Sequence, residues 1–586
     1  MMGKLQVLPK KGRIMRLRSV SSGIKPEFPL CAAQHGLFSH ILLSFRKPKK
    51  GHIMRVLMVI LLVAALLFSQ GCLTDIVPEE VPLESDIPAE IQTTDDETSS
   101  NAPSRGRFTL RFDPQSTLNP ITGQNSDNIL LSSLMYECLF SLDGALNAEP
   151  VLCERWHTGD NVTYTFEIKP NVAMSDGSLL TADDVAYTLN QAMRNARFSR
   201  RLGNIKSIAT DGELTLTVEL KSPNRRFINL LDVPVIKSDS IGNNLPPGTG
   251  PYVLAGAEAV RLNRFAQHRD FSRLPVTIIY LRECGDDEVA EMFEDGKLSL
   301  LWDDPSDTYD IRLNRIRETR PYDTTALQFI GFNTRLTALA EPDVRRAIGC
   351  AIDRDYITNE IMQGQAQKAP LALSPSYAFY DERWENTAVD PLGKIMSDLL
   401  LRAGLADIDN DSFFEYPDGF WEYRKFSIDF IVNSENTYKV RIVHEIADKL
   451  RRTGFDIAVR ELPWAGFIEA LESGSFDMFY GETELNADFD LSSLLLPNGS
   501  LNYGGTGGSS YAPLIESFLS ASTDAGEKAA AERLCDEIKQ FAPFVPVLYK
   551  KYVVYTPIGA ISGASPGQSG VFRMFPDWTV DLTMLS

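Results

Sequence analysis

One apolar run divides this chain into parts that cannot share a fold. Every side chain from Val56 to Phe68 is apolar. With Ser69 the run is about 14 residues long, and a bilayer-spanning helix needs roughly 20. Arg55 stands just before it, and Gly71 and Cys72 close it. A short basic start, a short apolar core and a small residue at the end describe a secretory signal peptide over residues 54–71. A buried core helix is the alternative, but the acidic, Pro-rich sequence directly after Cys72 argues against it.

The segment resembles a bacterial lipoprotein signal, in which the Cys becomes the first mature residue and carries lipid. It departs from the usual pattern: Ser69 and Gln70 stand where Leu and then Ala or Ser are preferred. The resemblance implies lipidation at Cys72, with the two or more acyl chains that stable membrane attachment requires. It also implies a start at Met54 and makes residues 1–53 an upstream extension. Those residues hold 11 Lys/Arg and one acid, with no helical or strand period. A genuine basic arm is the competing reading. Residues 72–106 then read as a tether, because Pro, Ser, Thr and acids without aromatics cannot bury enough apolar surface to fold. As a flexible coil the tether reaches roughly 30–35 Å.

The whole chain carries a net charge of −20, and beyond residue 71 the balance of 46 basic and 77 acidic residues makes it −31. Such a body is repelled by nucleic acid and by anionic lipid. Residues 107–586 suffice for two or three domains with sizeable cores. No second long apolar run follows. Cys138, Cys153, Cys284, Cys350 and Cys535 are scattered and odd in number, so no disulfide framework or paired zinc motif is visible and at least one thiol stays unpaired.

Strand and helix patterns alternate through this body. "RFTLRF" (107–112) reads as a first strand. "VTYTFEI" (162–168) and "LTLTVEL" (214–220) alternate apolar and polar residues with period two. Thr181 and Asp184 stand in capping-box spacing before a helix whose Val185, Leu189, Ala192 and Met193 share one face. Pro342 suits a first helical turn, with Val344, Ile348 and Ile352 in one stripe. Asp353 is placed to cap a second helix that Gly364 ends. An amphipathic helix over 437–454, a strand over 455–462, a helix near 464–472 and a strand over 476–480 complete the series. This order predicts an α/β body with helix-covered sheets and no internal repeat.

Enzyme motifs are poorly supported. His157, His268 and His444 lie far apart, with neither HExxH nor HxH spacing. "GASPG" (563–567) matches GxSxG literally, but Pro566 follows the serine and has no N–H to donate to an oxyanion. "DGKLS" (295–299) lacks the rest of a phosphate loop. "GGTGGSS" (504–510) reads as a flexible loop. Carboxylates are numerous, yet nothing selects a catalytic pair. No cofactor and no metal are expected.

Four stretches, in order, resemble the extracytoplasmic solute-binding family of ABC importers that includes oligopeptide-, dipeptide- and nickel-binding proteins. They are "YTFEIKPNVAMSDGSLLTADDVAYTLNQAM" (164–193), "PPGTGPYVL" (246–254), "FIGFNTRLTALAEPDVRRAIGCAIDRDYI" (329–357) and "APFVPVLYKKYVVY" (542–555). Physically these motifs are mostly scaffold: a capped helix at Thr181, a turn at Gly177 and a tight crossing at Gly248 and Gly250.

The resemblance implies a two-lobed periplasmic-binding-protein-like α/β fold with mixed sheets, closing about a hinge. Lobe 1 is expected from 107–148, 248–325 and 545–586, with 149–247 as an inserted subdomain. Lobe 2 is expected from 326–544. The implied partners are a peptide or other small solute and the permease and ATPase subunits of a transporter. The implied protein is a non-enzymatic monomer anchored outside the cytoplasm. A sensor of the same fold, or an importer component for a solute such as a nickel chelate, are the alternative readings.

Residue by residue, the resemblance places ligand contacts at Gln124, Asn125 and Ser126. Others fall in the stretch 476–495, read as a loop, at Tyr480, Glu482, Asn486 and Asp488. The family's Trp-x-Ala-Asp-Tyr pattern lacks its Trp here, and its Asp matches Asp488 only with a two-place slip. Without the slip the position holds Asn486. Asp488 is the leading candidate to hold a ligand ammonium, with Glu482 and Glu484 as alternatives.

Overall fold

The computed structural model describes residues 106–255, 260–306, 311–385, 393–417 and 422–585. The signal-like segment, Cys72 and nearly all of the acidic tether lie outside the described residues. Within them no helix is long and apolar enough to cross a membrane.

The first strand, Phe108–Phe112, pairs in parallel with Ile278–Glu283. That sheet continues antiparallel through Arg261–Arg264 to Tyr252–Leu254. The period-two stretches form a separate antiparallel meander, ordered Cys153–Thr158, Thr163–Ile168, Thr215–Leu220, Ile205–Asp211. Tyr164, Phe166 and Ile168 are buried, as are Leu216, Val218 and Leu220, and the residues between them are not. Alternation puts one face of the meander in a core, where Val185, Leu189 and Ala192 of the helix Ala182–Ala192 also sit. The capping box forms as the spacing predicts. Thr181 Oγ1 accepts from the Asp184 amide, and Asp184 accepts from the Thr181 amide at 3.0 Å. The turn at Gly250 is also explained, since a Cβ there would lie 2.2 Å from the backbone of Met135.

A seven-stranded mixed sheet is the largest of the described sheets. Its path runs Leu301–Asp303, Phe544–Thr556, Glu318–Phe332, Met478–Glu484, Ser427–Asn433, Asp456–Leu462, and Ala366–Lys368 pairs onto Phe544–Thr556. Alternate residues feed two cores. Ile330, Phe430, Met478 and Leu548 pack with the helices Pro342–Cys350, Lys394–Arg402 and Thr437–Arg452. Leu327, Phe329, Ile431 and Phe479 pack with the helices Trp464–Ser473, Ala512–Leu519 and Asp524–Phe541.

The two longest strands, Glu318–Phe332 and Phe544–Thr556, pair with two register shifts, one between Gln328 and Phe329 and a wider bulge before Leu327. Asp323 faces Lys551 and Leu327 faces Tyr549, so Thr324, Thr325 and Ala326 stand opposite Lys550 alone. Thr324 Oγ1 donates to the Lys550 carbonyl at 2.7 Å, and Thr325 Oγ1 donates to the Leu485 carbonyl at 2.6 Å. The bulge is thus held by side-chain hydroxyls where ladder bonds are lost.

Three local readings are corrected. The strand expected over 476–480 runs from Met478 to Glu484, because residues 478–484 pair continuously with 326–332. The helix expected after Asp353 is a single turn, Arg354–Tyr356, followed by a wider π-type turn over Ile357–Ile361. Asp353 does cap it, and Gly364 takes φ +80° beyond it. The glycine-rich stretch 504–510 is pinned at Gly504, where a Cβ would lie 1.6 Å from the Phe332 carbonyl oxygen, while Gly505, Ser509 and Ser510 are exposed.

Asp184 is the most loaded polar group of the first core. It also accepts from the Ser238 amide at 2.9 Å and the Ser238 hydroxyl at 2.8 Å. Burial alone would raise its pKa, but these hydrogen bonds and those from Thr181 outweigh burial and hold it below the ordinary carboxylate value. Its contribution to stability is therefore present above about pH 4 and is lost as pH falls through the lowered value. Asp184→Asn is expected to cost roughly 1–3 kcal/mol at neutral pH. Denaturant titrations should show that cost shrinking on acidification, and a pH-independent difference would refute the assignment.

Candidate functional site

The two sets of sheets meet along a seam, and a cavity of about 740 Å³ opens on it. One wall is the turn Gly144–Ala145 of the hairpin joining Phe140–Leu142 to Ala148–Pro150. The facing wall comes from 355–385, including Gln367, Lys368, Tyr377, Tyr380, Glu382 and Glu385. The hairpin residues Leu142 and Leu146 are buried with Tyr377, Leu485, Ala487 and Phe489. The Phe489 ring lies 5.3 Å from that of Tyr377, edge to face. The turn that carries Asp488 therefore abuts the cavity wall.

Asp488 is buried and accepts from Asn224 Nδ2 at 2.8 Å and from the Asp490 amide at 3.2 Å. Burial and the Asp490 charge push its pKa up to about 6, against the opposing pull of these hydrogen bonds and of Arg201. Asn486 is half-buried, and its carbonyl closes the same turn by accepting from the Phe489 amide at 2.9 Å. Phe489 itself sits in the left-handed region at φ 54°.

Tyr480 lies on the expected strand, which continues through Glu482 rather than turning into a loop, and other side chains already hold both. Tyr480 is buried and donates to Gln328 at 2.8 Å, and burial keeps its phenol well above the ordinary pKa. Gln328 in turn donates to Glu482 at 2.8 Å. Lys439 lies 3.0 Å from Glu482 and Lys550 lies 3.4 Å from it, while Lys550 also pairs with Asp304. Burial alone would raise the Glu482 pKa, but the two lysines outweigh it and hold Glu482 ionised. Glu482 thus serves the bulge. Glu484 is exposed and accepts from Gln568 at 2.6 Å.

Gln124, Asn125 and Ser126 stand at the start of the helix Ser126–Met135. Asn125 caps it, accepting from the Asn128 amide at 3.0 Å and donating to Asp113 at 3.2 Å. Gln124 and Ser126 are exposed. Among the described residues no hydrogen bond or ion pair joins these three to 480–488.

Sequence reasoning missed the residues that bridge the seam. Arg200 donates to the Glu484 carbonyl at 2.9 Å and to Thr483 Oγ1 at 3.4 Å. Asn229 donates to the carbonyl of Leu146 at 2.8 Å and to that of Ala487 at 3.4 Å. Arg226 and Glu527 form an ion pair, both nearly inaccessible to solvent. Tyr377 donates to the same carboxylate at 2.8 Å, and the Arg226 guanidinium lies 4.6 Å from the Tyr377 ring centre. Arg225 pairs with Asp524 beside it. The signal was present: "FSRRL" and "PNRRF" are doubled arginines in a strongly acidic body.

Metal-ligand chemistry is sparse. His268 faces Glu137 at 3.3 Å and His444 faces Glu461 at 2.8 Å, each apart from the other. The carboxylates of Asp407, Asp409 and Glu415 lie within 4.8 Å of one another. Backbone amides of their own loop already occupy them: Ser412 donates to Asp407, Asp411 to Asp409 and Ile408 to Glu415. Cys138, Cys153, Cys284 and Cys535 are unbridged.

A family model for bacterial extracellular solute-binding proteins, family 5, matches residues 147–504. The glutathione-binding protein GsiB of Escherichia coli K12 is 25% identical over 322 residues, covering 52% of this chain. The chain spans 60% of the length of that relative. The fold matches the oligopeptide-binding protein AppA of Bacillus subtilis bound to a nonapeptide, with TM-score 0.60, 17% identity, 82% of this chain and 100% of that one. It matches the unliganded open form of the murein tripeptide-binding protein MppA with TM-score 0.68, 16% identity, 81% of this chain and 98% of that one. NikA of Brucella suis in complex with Fe(III)-EDTA gives TM-score 0.66 at 18% identity, over 81% of this chain and all of that one. At these identities the structural likeness establishes the two-lobed fold alone.

The seam generates one prediction here. Removing one partner of a buried ion pair costs about 3–5 kcal/mol, whereas apolar replacement of both is nearly neutral. Arg226→Met is expected to lower the melting temperature and enlarge the particle in small-angle scattering. Arg226→Met with Glu527→Leu should recover most of both losses. A silent single variant would show that the pair does not hold the seam.

Proposed function

This chain belongs to the family 5 bacterial extracellular solute-binding proteins, and from that premise we propose that it captures a peptide-like solute between its lobes for an ABC importer. The observation that carries this reading is the cavity of about 740 Å³ at the seam. Its size falls in the usual range for small-ligand sites. It lies beside a buried acidic turn that centres on Asp488. Peptide-type ligands appear in the names of several relatives, with glutathione, a nonapeptide and a murein tripeptide among them. A metal chelate in another keeps the non-peptide reading as the second choice. We assign the protein no enzymatic step. "GASPG" supports this, since it follows the short strand Ile561–Ser562 and opens no helix.

Asp488 is assigned to the ligand's ammonium, which displaces Asn224 when it binds. A buried carboxylate whose ionised form is disfavoured gains from a cationic partner in a closed, dry cleft. Asn486 and Glu484 flank that position. Gln124 and Ser126 are exposed polar groups at the helix start and are assigned to the opposite side of the ligand. Asn125 holds them in place as the cap. Tyr480 and Glu482 support the site through the bulge. Attachment through lipid at Cys72 would keep the body outside the cytoplasm and near its permease, with residues 73–106 as the spacer.

Native mass spectrometry of the protein purified from a rich-medium host tests the reading first. Co-purified masses that dissociate and sequence as short peptides would support it. A ligand-free mass with no thermal shift from a peptide library would overturn it in favour of chelates or sugars.

Asp488→Asn gives a sharper test. The protonated Asp488 carboxyl stabilises the fold below about pH 4, and that contribution is lost as pH rises through about 6. The Asn variant should therefore melt higher than the parent at pH 8 and lose that advantage in acid. At the same time its affinity for a free-amine peptide should fall roughly tenfold or more. Unchanged affinity in calorimetry would remove Asp488 from the site and leave the family membership intact. Metabolic labelling with a fatty acid, lost in Cys72→Ser, tests the anchor.

A further inference from the structure

We infer that the seam cavity selects ligands carrying a cationic side chain, such as short Lys- or Arg-containing peptides. The inference rests on the peptide-binding reading above and deepens it. Four charged side chains line the cavity: Asp355, Lys368, Glu382 and Glu385. Lys368 lies 2.9 Å from Asp355, so those two charges cancel at the rim. Glu382 and Glu385 remain. Glu385 accepts from the neutral Tyr380 hydroxyl at 2.9 Å, and among the described residues no cation pairs with either glutamate.

The nearby cations are already committed. Arg383 is bidentate on Asp381, and Lys528 lies 3.0 Å from the same carboxylate. Lys539 binds Asp536 at 2.8 Å and donates to the Trp384 carbonyl at 2.6 Å. The walls therefore offer surplus negative charge. Tyr380, half-buried on the same wall, adds an aromatic ring beside it.

An ammonium or guanidinium entering from the hairpin side meets the carboxylates of Glu382 and Glu385. Aromatic faces beside carboxylates favour a cation over a neutral group of equal size. An acidic ligand would meet like charge there, which costs affinity. The Asp488 turn abuts the same wall through Phe489 and Tyr377. One peptide can thus present its terminal amine to Asp488 and a basic side chain to Glu382 and Glu385.

The test is calorimetry of the purified chain with tri-lysine, tri-alanine and tri-glutamate, at low and at high salt. Tri-lysine is expected to bind roughly tenfold tighter than tri-alanine at low salt, and the preference should narrow at high salt. In Glu382→Gln/Glu385→Gln, with folding checked by its melting curve, the ratio of tri-lysine to tri-alanine affinity should collapse towards one. Equal affinities in the parent protein, or a preference for tri-glutamate, would overturn the inference and leave peptide binding standing. A preference that survives the double substitution would move the selectivity away from this cavity and overturn it too. Failure of all three peptides, with no thermal shift from a peptide library, would remove the peptide reading itself.

Discussion

The pairing of Glu318–Phe332 with Phe544–Thr556 is the constraint on which the rest of this molecule depends. These two strands carry the backbone through the seven-stranded sheet and beyond its covered part. Their ladder is interrupted where Thr324, Thr325 and Ala326 oppose Lys550. A continuous ladder there would make one stiff ribbon. A bulge lets the ribbon bend, and hydroxyl-to-carbonyl bonds from Thr324 and Thr325 satisfy the backbone that the bulge frees. The Lys550 side chain lies inside this bend with Asp304 and Glu482. Buried charge at a bend is expensive unless paired, so the ion cluster fixes which arrangement of the bend is tolerated.

That cluster explains why Glu482 does a different job from Asp488, although six residues separate them on one segment. Glu482 has two lysines and a glutamine within reach, so its negative charge is already balanced. Asp488 has a neutral amide as its direct partner and a like-charged neighbour at Asp490. Geometry distributes compensation to one carboxylate and withholds it from the other. An uncompensated carboxylate next to a cavity is where a ligand cation gains most.

Much of this architecture was legible in the residues, and the failures are instructive. Thr181 and Asp184 announced a capped helix because a capping box is a local device that needs only four residues. The meander was legible in the alternation around Tyr164, Phe166, Leu216 and Val218, since period two survives wherever one face is buried. The strand expected over 476–480 was not extended to Glu484 because the stretch from Gly481 to Glu484 carries glycine and two acids. Only cross-strand pairing with 326–332, and the distant Lys439 and Lys550, make those acids acceptable in a strand. The doubled arginines at Arg200 and Arg226 stood out in an acidic body, but what they and Asn224 bridge to was not legible, for a similar reason. Their partners Glu484, Asp488 and Glu527 lie more than 260 residues away along the chain, and no local period encodes such a contact.

The seam and the cavity follow opposite rules for charge, and this opposition organises the whole surface between the lobes. Along the seam the arginines meet complements: Arg226 with Glu527, Arg225 with Asp524, Arg200 with a strand-end carbonyl. Tyr377 belongs to both regions, because its hydroxyl serves Glu527 while the residue also lines the cavity. A ligand that presses on Tyr377 therefore acts on the ion pair that joins the two sides. A neutral, fully compensated cavity would lack this leverage. Glu382 and Glu385, to which no cation is paired among the described residues, stand on the cavity wall that Tyr377 shares, whereas the Glu527 carboxylate that Tyr377 serves is already matched by Arg226.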